Sequence, residues 1–174
     1  MKVGATKPQQ TYRTVFWCIA AGILIGLFLK LFVIDILHVQ GASMEPAVHD
    51  GQTVMVNKLA YGVVKPFSDT VLLHWKEPAA GDIVIYLYDN KIVIKRCIAC
   101  QKVPLEYSFN SGYTLCVGAK KIPLTDLQFH RMKDSAFVPE GMILAVGDNY
   151  TKSIDSRTYG FVPTKNIIGK VLCR

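Results

Sequence analysis

A serine, a lysine and one short polar loop are the parts of this chain whose types and spacing could do covalent chemistry. Ser43 lies in Gly41-Ala42-Ser43-Met44-Glu45-Pro46. Small, permissive residues lead into the hydroxyl, and Pro46 fixes φ and ends strand pairing just after it. That pattern presents a hydroxyl at the end of an extended segment. A serine hydroxyl is a weak nucleophile and needs a base.

Lys95 is the candidate base. It sits in Lys91-Ile92-Val93-Ile94-Lys95-Arg96-Cys97, where strand alternation puts Val93 and Lys95 on one face and Ile92, Ile94 and Arg96 on the other. A lysine in such apolar company is seldom buried unless it is paired or used. Burial disfavours the ammonium, and a lysine neutral near pH 7 can take a proton from serine. Composition alone favours the blander reading, an edge-strand lysine that reaches solvent and blunts aggregation.

The third stretch is Gly147-Asp148-Asn149-Tyr150-Thr151-Lys152-Ser153-Ile154-Asp155-Ser156-Arg157. Dense polar loops of this kind commonly carry function. Ser153 could hold a neutral lysine amine, and Asp155 with Arg157 could form a charge-assisted pair that stiffens the loop. An ordinary surface turn with a salt bridge is the bland alternative. His38, His49, His74 and His130 are isolated from one another. A Ser-His arrangement would need one of them beside Ser43, and no metal or other cofactor is implied.

These groups need elements to position them. After residue 35 the chain breaks into short apolar runs punctuated by Gly, Pro, Asp and Asn. Strands are expected at 36–39, 53–57, 82–88, 91–97, around 103–109, 113–117, 142–146 and 167–173, with Asp89-Asn90 as a hairpin turn. Residues 124–133 suit one short helix, and 61–80, with Pro66 and Pro78, read as a long irregular connection. Val15 to Leu29 carries no charge and the apolar character resumes at 31–34. A bilayer core of about 30 Å needs about 20 helical residues, which 15–34 supplies, with Lys30 snorkelling near its far end. A cleaved secretory signal is the competing reading. The apolar stretch is long for that, so an uncleaved anchor is expected. Lys2, Lys7 and Arg13 before the span, and Asp35 after it, place residues 1–14 in the cytoplasm and 35–174 outside.

The 174 residues suggest one folded domain beyond the anchor, and the composition is 51% hydrophobic and 19% charged. Net charge is +7, yet the basic residues are scattered without a run of five. That argues for attraction to anionic lipid rather than for nucleic-acid binding. Trp17 and Trp75 suit membrane interfaces, with ordinary core packing the alternative for Trp75. Cys18 falls in the span. Cys97, Cys100, Cys116 and Cys173 fall outside it, where disulfides persist and three pairings are open. Cys97 and Cys100 have redox-motif spacing, but no helix start is expected there to lower a thiol pKa. A structural bridge such as Cys100–Cys116 is expected instead.

Taken together and in order, the anchor, GASMEPAVHDG at 41–51, GDIVIY at 81–86, KRCI at 95–98 and GDNYTKSIDSRTYG at 147–160 resemble the bacterial type I (Ser-Lys) signal peptidases. The resemblance covers the span and most of 36–98 and 141–172. It fades over about 99–138, which looks like the family's variable cap insertion. It implies a mainly β fold: an N-terminal transmembrane helix, then a β-rich extracytoplasmic domain of twisted antiparallel sheets. Ser43 becomes the acylating nucleophile and Lys95 the general base. Ser153 matches a serine that hydrogen-bonds the lysine, Arg96 an arginine that follows the base, and Met44 a residue lining the substrate pocket. Gly147 and Asp148 match the loop motif's opening residues, and Asp155 with Arg157 its stabilising pair.

Two departures stand out. Gly41 occupies a position where some members carry a hydroxyl that helps the oxyanion hole, which leaves the Ser43 N–H with less side-chain help. Cys97 and Cys100 stand where the family more often has apolar residues or a Gly-Pro turn. The function implied is removal of signal peptides from secretory preproteins at the plasma (inner) membrane. Substrate would lie as an extended strand beside Val39–Gly41 and the 82–95 hairpin. Shallow apolar pockets walled by Val39, Met44, Val48 and Ile94 would suit small residues before the cut. The rivals are a specialised peptidase for pilus or conjugative-transfer subunits and a non-catalytic assembly factor on the same fold.

Overall fold

The computed structural model describes residues 8–65, 71–109 and 112–173. Residues 1–7 of the expected basic segment and 66–70 of the expected connection lie outside these. Helix α1 spans Pro8–Phe28. Pro8 is the first residue of the helix among the described residues. The helix ends in a wider π-helical segment, Leu29–Val33. Thr11–Val33, 23 residues of mean hydropathy 2.3, has none of its most apolar window buried in the chain and is long and apolar enough to cross a membrane. Trp17 is exposed on it.

The chain then enters an antiparallel seven-stranded sheet in the order β1-β2-β12-β5-β6-β10-β11. Its strands are β1 Ile34–His38, β2 Thr53–Asn57, β5 Ile83–Tyr88, β6 Lys91–Ala99, β10 Met142–Val146, β11 Val162–Pro163 and β12 Ile167–Cys173. The hairpin of β5 and β6 pairs Ile83 with Arg96 through Tyr88 with Lys91. Its two-residue turn holds Asp89 at φ 50 and Asn90 at φ 57, the left-handed geometry whose twist matches the flanking strands. Strand β10 pairs β6 only from Arg96 onward. Among the described residues one backbone edge of β6 over 91–95 therefore carries no partner strand.

Residues 61–80 are not a structureless connection. They contain a small hairpin of β3, Gly62–Val64, and β4, Val71–His74. Gly62 and the prolines hide it from periodicity, although β4's β-branched and leucine residues suit a strand. Leu72, Leu73 and Trp75 are all more than half exposed there, so core packing is not what Trp75 does.

Between β6 and β10 a three-stranded sheet forms from β7 Glu106–Ser108, β8 Thr114–Val117 and β9 Lys120–Pro123. Helix α2, Asp126–Met132, follows, with a capping box between Thr125 and Gln128. This cap is not loosely appended. Leu105, Leu115, Ile122 and Met132 form one buried cluster with Ile98, Leu144 and Val146 of the main sheet.

Two further clusters lie on the main sheet. One gathers Val39, Met44, Val48, Val54, Ile83 and Ile85. The other gathers Tyr61, Val84, Tyr86, Cys97, Ile143 and Ala145. Cys18, Cys97, Cys100 and Cys116 are free thiols, so the expected Cys100–Cys116 bridge is not formed. Cys116 faces Glu106 and Lys121 across β8, whereas Cys100 donates to the Pro78 carbonyl at 3.0 Å.

Candidate active site

Ser43 is presented by the turn that follows β1. Gly41 adopts φ 95 and donates its N–H to Asp50 Oδ1 at 2.7 Å, which fixes the approach to the serine. A side chain is strained at such an angle, which is why glycine stands there. Val39 N–H bonds the Gln52 carbonyl at 2.8 Å and Val48 N–H bonds Met44 at 2.9 Å, closing the turn on both sides. Among the described residues the Ser43 N–H donates to no group of the chain.

Lys95 is 5% exposed in the middle of β6, and its Nζ lies 2.8 Å from Ser43 Oγ and 3.1 Å from the Ile94 carbonyl. Burial pushes the Lys95 ammonium below the ordinary lysine value; Asp155 opposes the shift and Arg157 adds to it. The solvent-reaching alternative for this lysine therefore does not describe the fold. When the amine is neutral, the same 2.8 Å contact serves with the hydroxyl donating to the nitrogen lone pair.

The 147–157 loop closes over this pair from the end of β10. The Asn149 N–H donates to the Ser43 carbonyl at 3.0 Å. A methyl group on Gly147 would stand 2.5 Å from that same carbonyl oxygen and 2.2 Å from Ser153 Oγ, so only glycine lets the loop approach so closely. Asp155 and Arg157, 0% and 1% exposed, form a two-pronged pair with both N–O distances 2.9 Å. Asp155 Oδ2 also accepts the Gly147 N–H at 3.0 Å, and Arg157 donates to the Pro123 and Tyr150 carbonyls. Asp155 caps helix α3, Ser156–Tyr159, and Ser156 Oγ accepts the Ala145 N–H at 3.0 Å. Arg96 grips Asp148 with Nε at 2.7 Å and Nη2 at 2.6 Å, and donates to the Gly81 carbonyl. The loop is thus tied to β6 one residue beyond the lysine.

A groove of about 370 Å³ runs past the pair, lined by residues 37–40, Ser43, Met44 and residues 91–95. Of the expected pocket residues, Val39, Met44 and Ile94 line it. Val48 does not: it is fully buried behind the wall, packed with Met44 in the core. Ser153 Oγ, expected on the lysine, is buried and makes no hydrogen bond among the described residues. His38 lines the groove, and no histidine is bonded to Ser43. Sequence reasoning missed Asn149 and Asp50, whose roles rest on backbone contacts that no residue pattern reports.

A strand-borne buried lysine on a serine hydroxyl, locked by a polar loop, is the arrangement of a serine hydrolase with a Ser-Lys pair. A family profile described as signal peptidase, peptidase S26, matches residues 12–174. The chain belongs to that family. It is 33% identical to a signal peptidase I of Bacillus caldolyticus over 94% of this chain and 91% of that one. It is 26% identical to signal peptidase I V of Bacillus subtilis over 90% and 95%. A solved signal peptidase I from Enterococcus faecalis, 27% identical, covers 56% of this chain and 97% of its own, at a TM-score of 0.41.

Proposed function

We propose that this membrane signal-peptide-removing peptidase cuts with Ser43 as nucleophile and Lys95 as general base. The observation that carries the reading is the 2.8 Å contact between a buried lysine, its charge disfavoured, and the one serine that a loop backbone clamps from behind. The unpartnered edge of β6 at 91–95 and the Val39–Gly41 segment accept the preprotein as an added strand. Its scissile carbonyl then reaches Ser43. Small side chains fit the apolar wall of Val39, Met44 and Ile94.

Ser43 Oγ attacks the carbonyl carbon as its proton passes to Lys95 Nζ. The unengaged Ser43 N–H faces the developing oxyanion, where one donor is worth about 3–4 kcal/mol. Gly41 adds no side-chain donor. The Lys95 ammonium gives its proton to the leaving amine, and the signal peptide stays as an ester on Ser43. Lys95 then deprotonates a water that hydrolyses the ester. Ser153 Oγ, buried and unpaired, offers an acceptor for the ammonium between these steps. Asp148, Asp155, Arg96 and Arg157 hold the loop.

The helix through Thr11–Val33 anchors the enzyme in the plasma membrane, with the N-terminal segment cytoplasmic and residues 35–174 outside as catalytic domain. The 99–138 region is its variable cap. The exposed Leu72, Leu73 and Trp75 rest on lipid. A scaffold without activity has no use for a buried lysine on a serine hydroxyl. The test is detergent-solubilised cleavage of a preprotein whose signal ends Ala-X-Ala. Wild type cuts after the second alanine, while Ser43→Ala and Lys95→Ala stay folded and inactive. Cleavage by purified Lys95→Ala at the wild-type rate would overturn the mechanism.

A further inference from the structure

The two thiols just past the base, Cys97 in β6 and Cys100 one residue beyond its end, lie on one side of the sheet, where continued strand alternation would part them. Cys97 and Cys100 are three residues apart, so a regular strand would point them to opposite sides. The register with β10 explains the change: Ala145 faces Cys97 while Leu144 faces Ala99, so Ile98 is an extra residue. Such a bulge shifts the phase of everything after it. Ile98 and Ala99 accordingly share the cap-side cluster, whereas Cys97 and Cys100 both pack against the cluster around Tyr61 and Tyr86. Their sulfurs end 3.9 Å apart.

We propose that Cys97 and Cys100 form a dithiol–disulfide modification site, oxidised to an intrachain bond where the base strand enters the cap. An inert pair of core thiols would need no bulge to bring the sulfurs together. The two differ in access: Cys97 is fully buried and Cys100 is partly exposed. Cys100 thus meets the oxidant, a small-molecule or protein disulfide, first. Its thiolate attacks one sulfur of that disulfide and expels a thiol. Cys97 then loses its proton and attacks the Cys100 sulfur, expelling the second thiol. Two electrons pass to the oxidant, which leaves as two thiols while one sulfur–sulfur bond forms in the chain.

The site is a structural clasp rather than a redox catalyst. Cys97 lies in a strand and not at a helix start, and burial pushes its thiol far up, which slows exchange once the bond exists. Oxidation takes Cys100 away from the Pro78 carbonyl and joins β6 to the first residue beyond it, inside the cap. The pairing of Lys95 with Val84 lies upstream of the bond and is untouched.

The test does not depend on the enzyme being active. The full chain in detergent is incubated with oxidised glutathione, alkylated and digested with trypsin. Cleavage after Arg96 and Lys102 releases residues 97–102 with both cysteines. The expected result is that peptide unalkylated and two hydrogens lighter. Cys97→Ala should instead stop at glutathione on Cys100, and Cys100→Ala should leave Cys97 reduced. Oxidised wild type should melt a few degrees above its reduced form. A folded chain whose 97–102 peptide carries two alkyl groups, or is cross-linked to the peptide of Cys116 or Cys173, overturns the proposal. That wild-type result decides it even if the alanine variants do not fold.

Discussion

Gly147→Ala tests what the loop does for the nucleophile, because the added methyl meets the Ser43 backbone directly. It would stand 2.2 Å from Ser153 Oγ, which a rotamer change can relieve, but also 2.6 Å from Ser153 Cβ and 2.5 Å from the Ser43 carbonyl oxygen, which only backbone movement can relieve. To reach even 3.0 Å the Ser43 peptide must retreat by about 0.5 Å, and the Asn149 N–H bond that holds it stretches with it. Displacing a reacting group by about 1 Å can cost 10²-fold in rate. A half-ångström displacement of Ser43 relative to Lys95 is therefore expected to lower kcat/KM by about 10–100-fold, or about 1.4–2.7 kcal/mol. Because the methyl lies behind the serine and not in the groove, kcat should carry the loss and KM should move little. The overpacking itself destabilises by about 1–3 kcal/mol, so circular dichroism must first show a folded chain at the assay temperature. Preprotein cleavage by folded Gly147→Ala at the wild-type kcat would refute this account of the loop.

Lys95→Met should lower the rate by about 10²–10⁴-fold, the share of a general base, and yet stabilise the fold. The depressed folded pKa means that between it and the ordinary lysine value the unfolded chain holds the extra proton. Wild-type stability therefore climbs as pH rises through that window and falls as pH drops through the folded value, while the variant's should not. Denaturant midpoints across pH check this, and a variant less stable than wild type at pH 7 refutes it. Cleavage by wild type should rise with pH through the same depressed value, not through that of a free lysine. Asp155→Ala strands the Arg157 guanidinium in a site where it is 1% exposed, with an expected cost of about 3–5 kcal/mol in unfolding. Gly41→Ala meets no atom within 4 Å, so backbone strain at φ 95 is its sole cost, about 1–3 kcal/mol in a thermal or denaturant melt.

The candidate catalytic parts were legible in the sequence because each is a local pattern. A hydroxyl between small residues and a proline, a lysine inside an apolar strand, and a Gly-Asp-Asn loop with an Asp-x-Arg pair carry their chemistry in adjacent residues. Alternation placed β2, β5, β10 and β12 to within a residue, and the uncharged run gave the long N-terminal helix. What failed was also local in cause. The β3–β4 hairpin is too short and too interrupted by Gly and Pro for periodicity to register. Val48 reads as an exposed pocket residue only until the turn buries it beneath Met44.

Only the tertiary structure decided how far those parts lie from each other. Ser43 and Lys95 are 52 positions apart, and their 2.8 Å contact depends on packing the Ser43 turn beside β6. No spacing rule encodes that. The same holds for Lys95's charge: the sequence supplies a lysine with apolar neighbours, but burial from every side sets which way its pKa moves. Backbone contacts such as Asn149 to Ser43 and the close approach of Gly147 belong to geometry that residue types do not report. The bulge at Ile98 is the sharpest instance. Sequence period sends Cys97 and Cys100 to opposite faces, and a single unpaired residue, fixed by register with a strand far along the chain, brings them together.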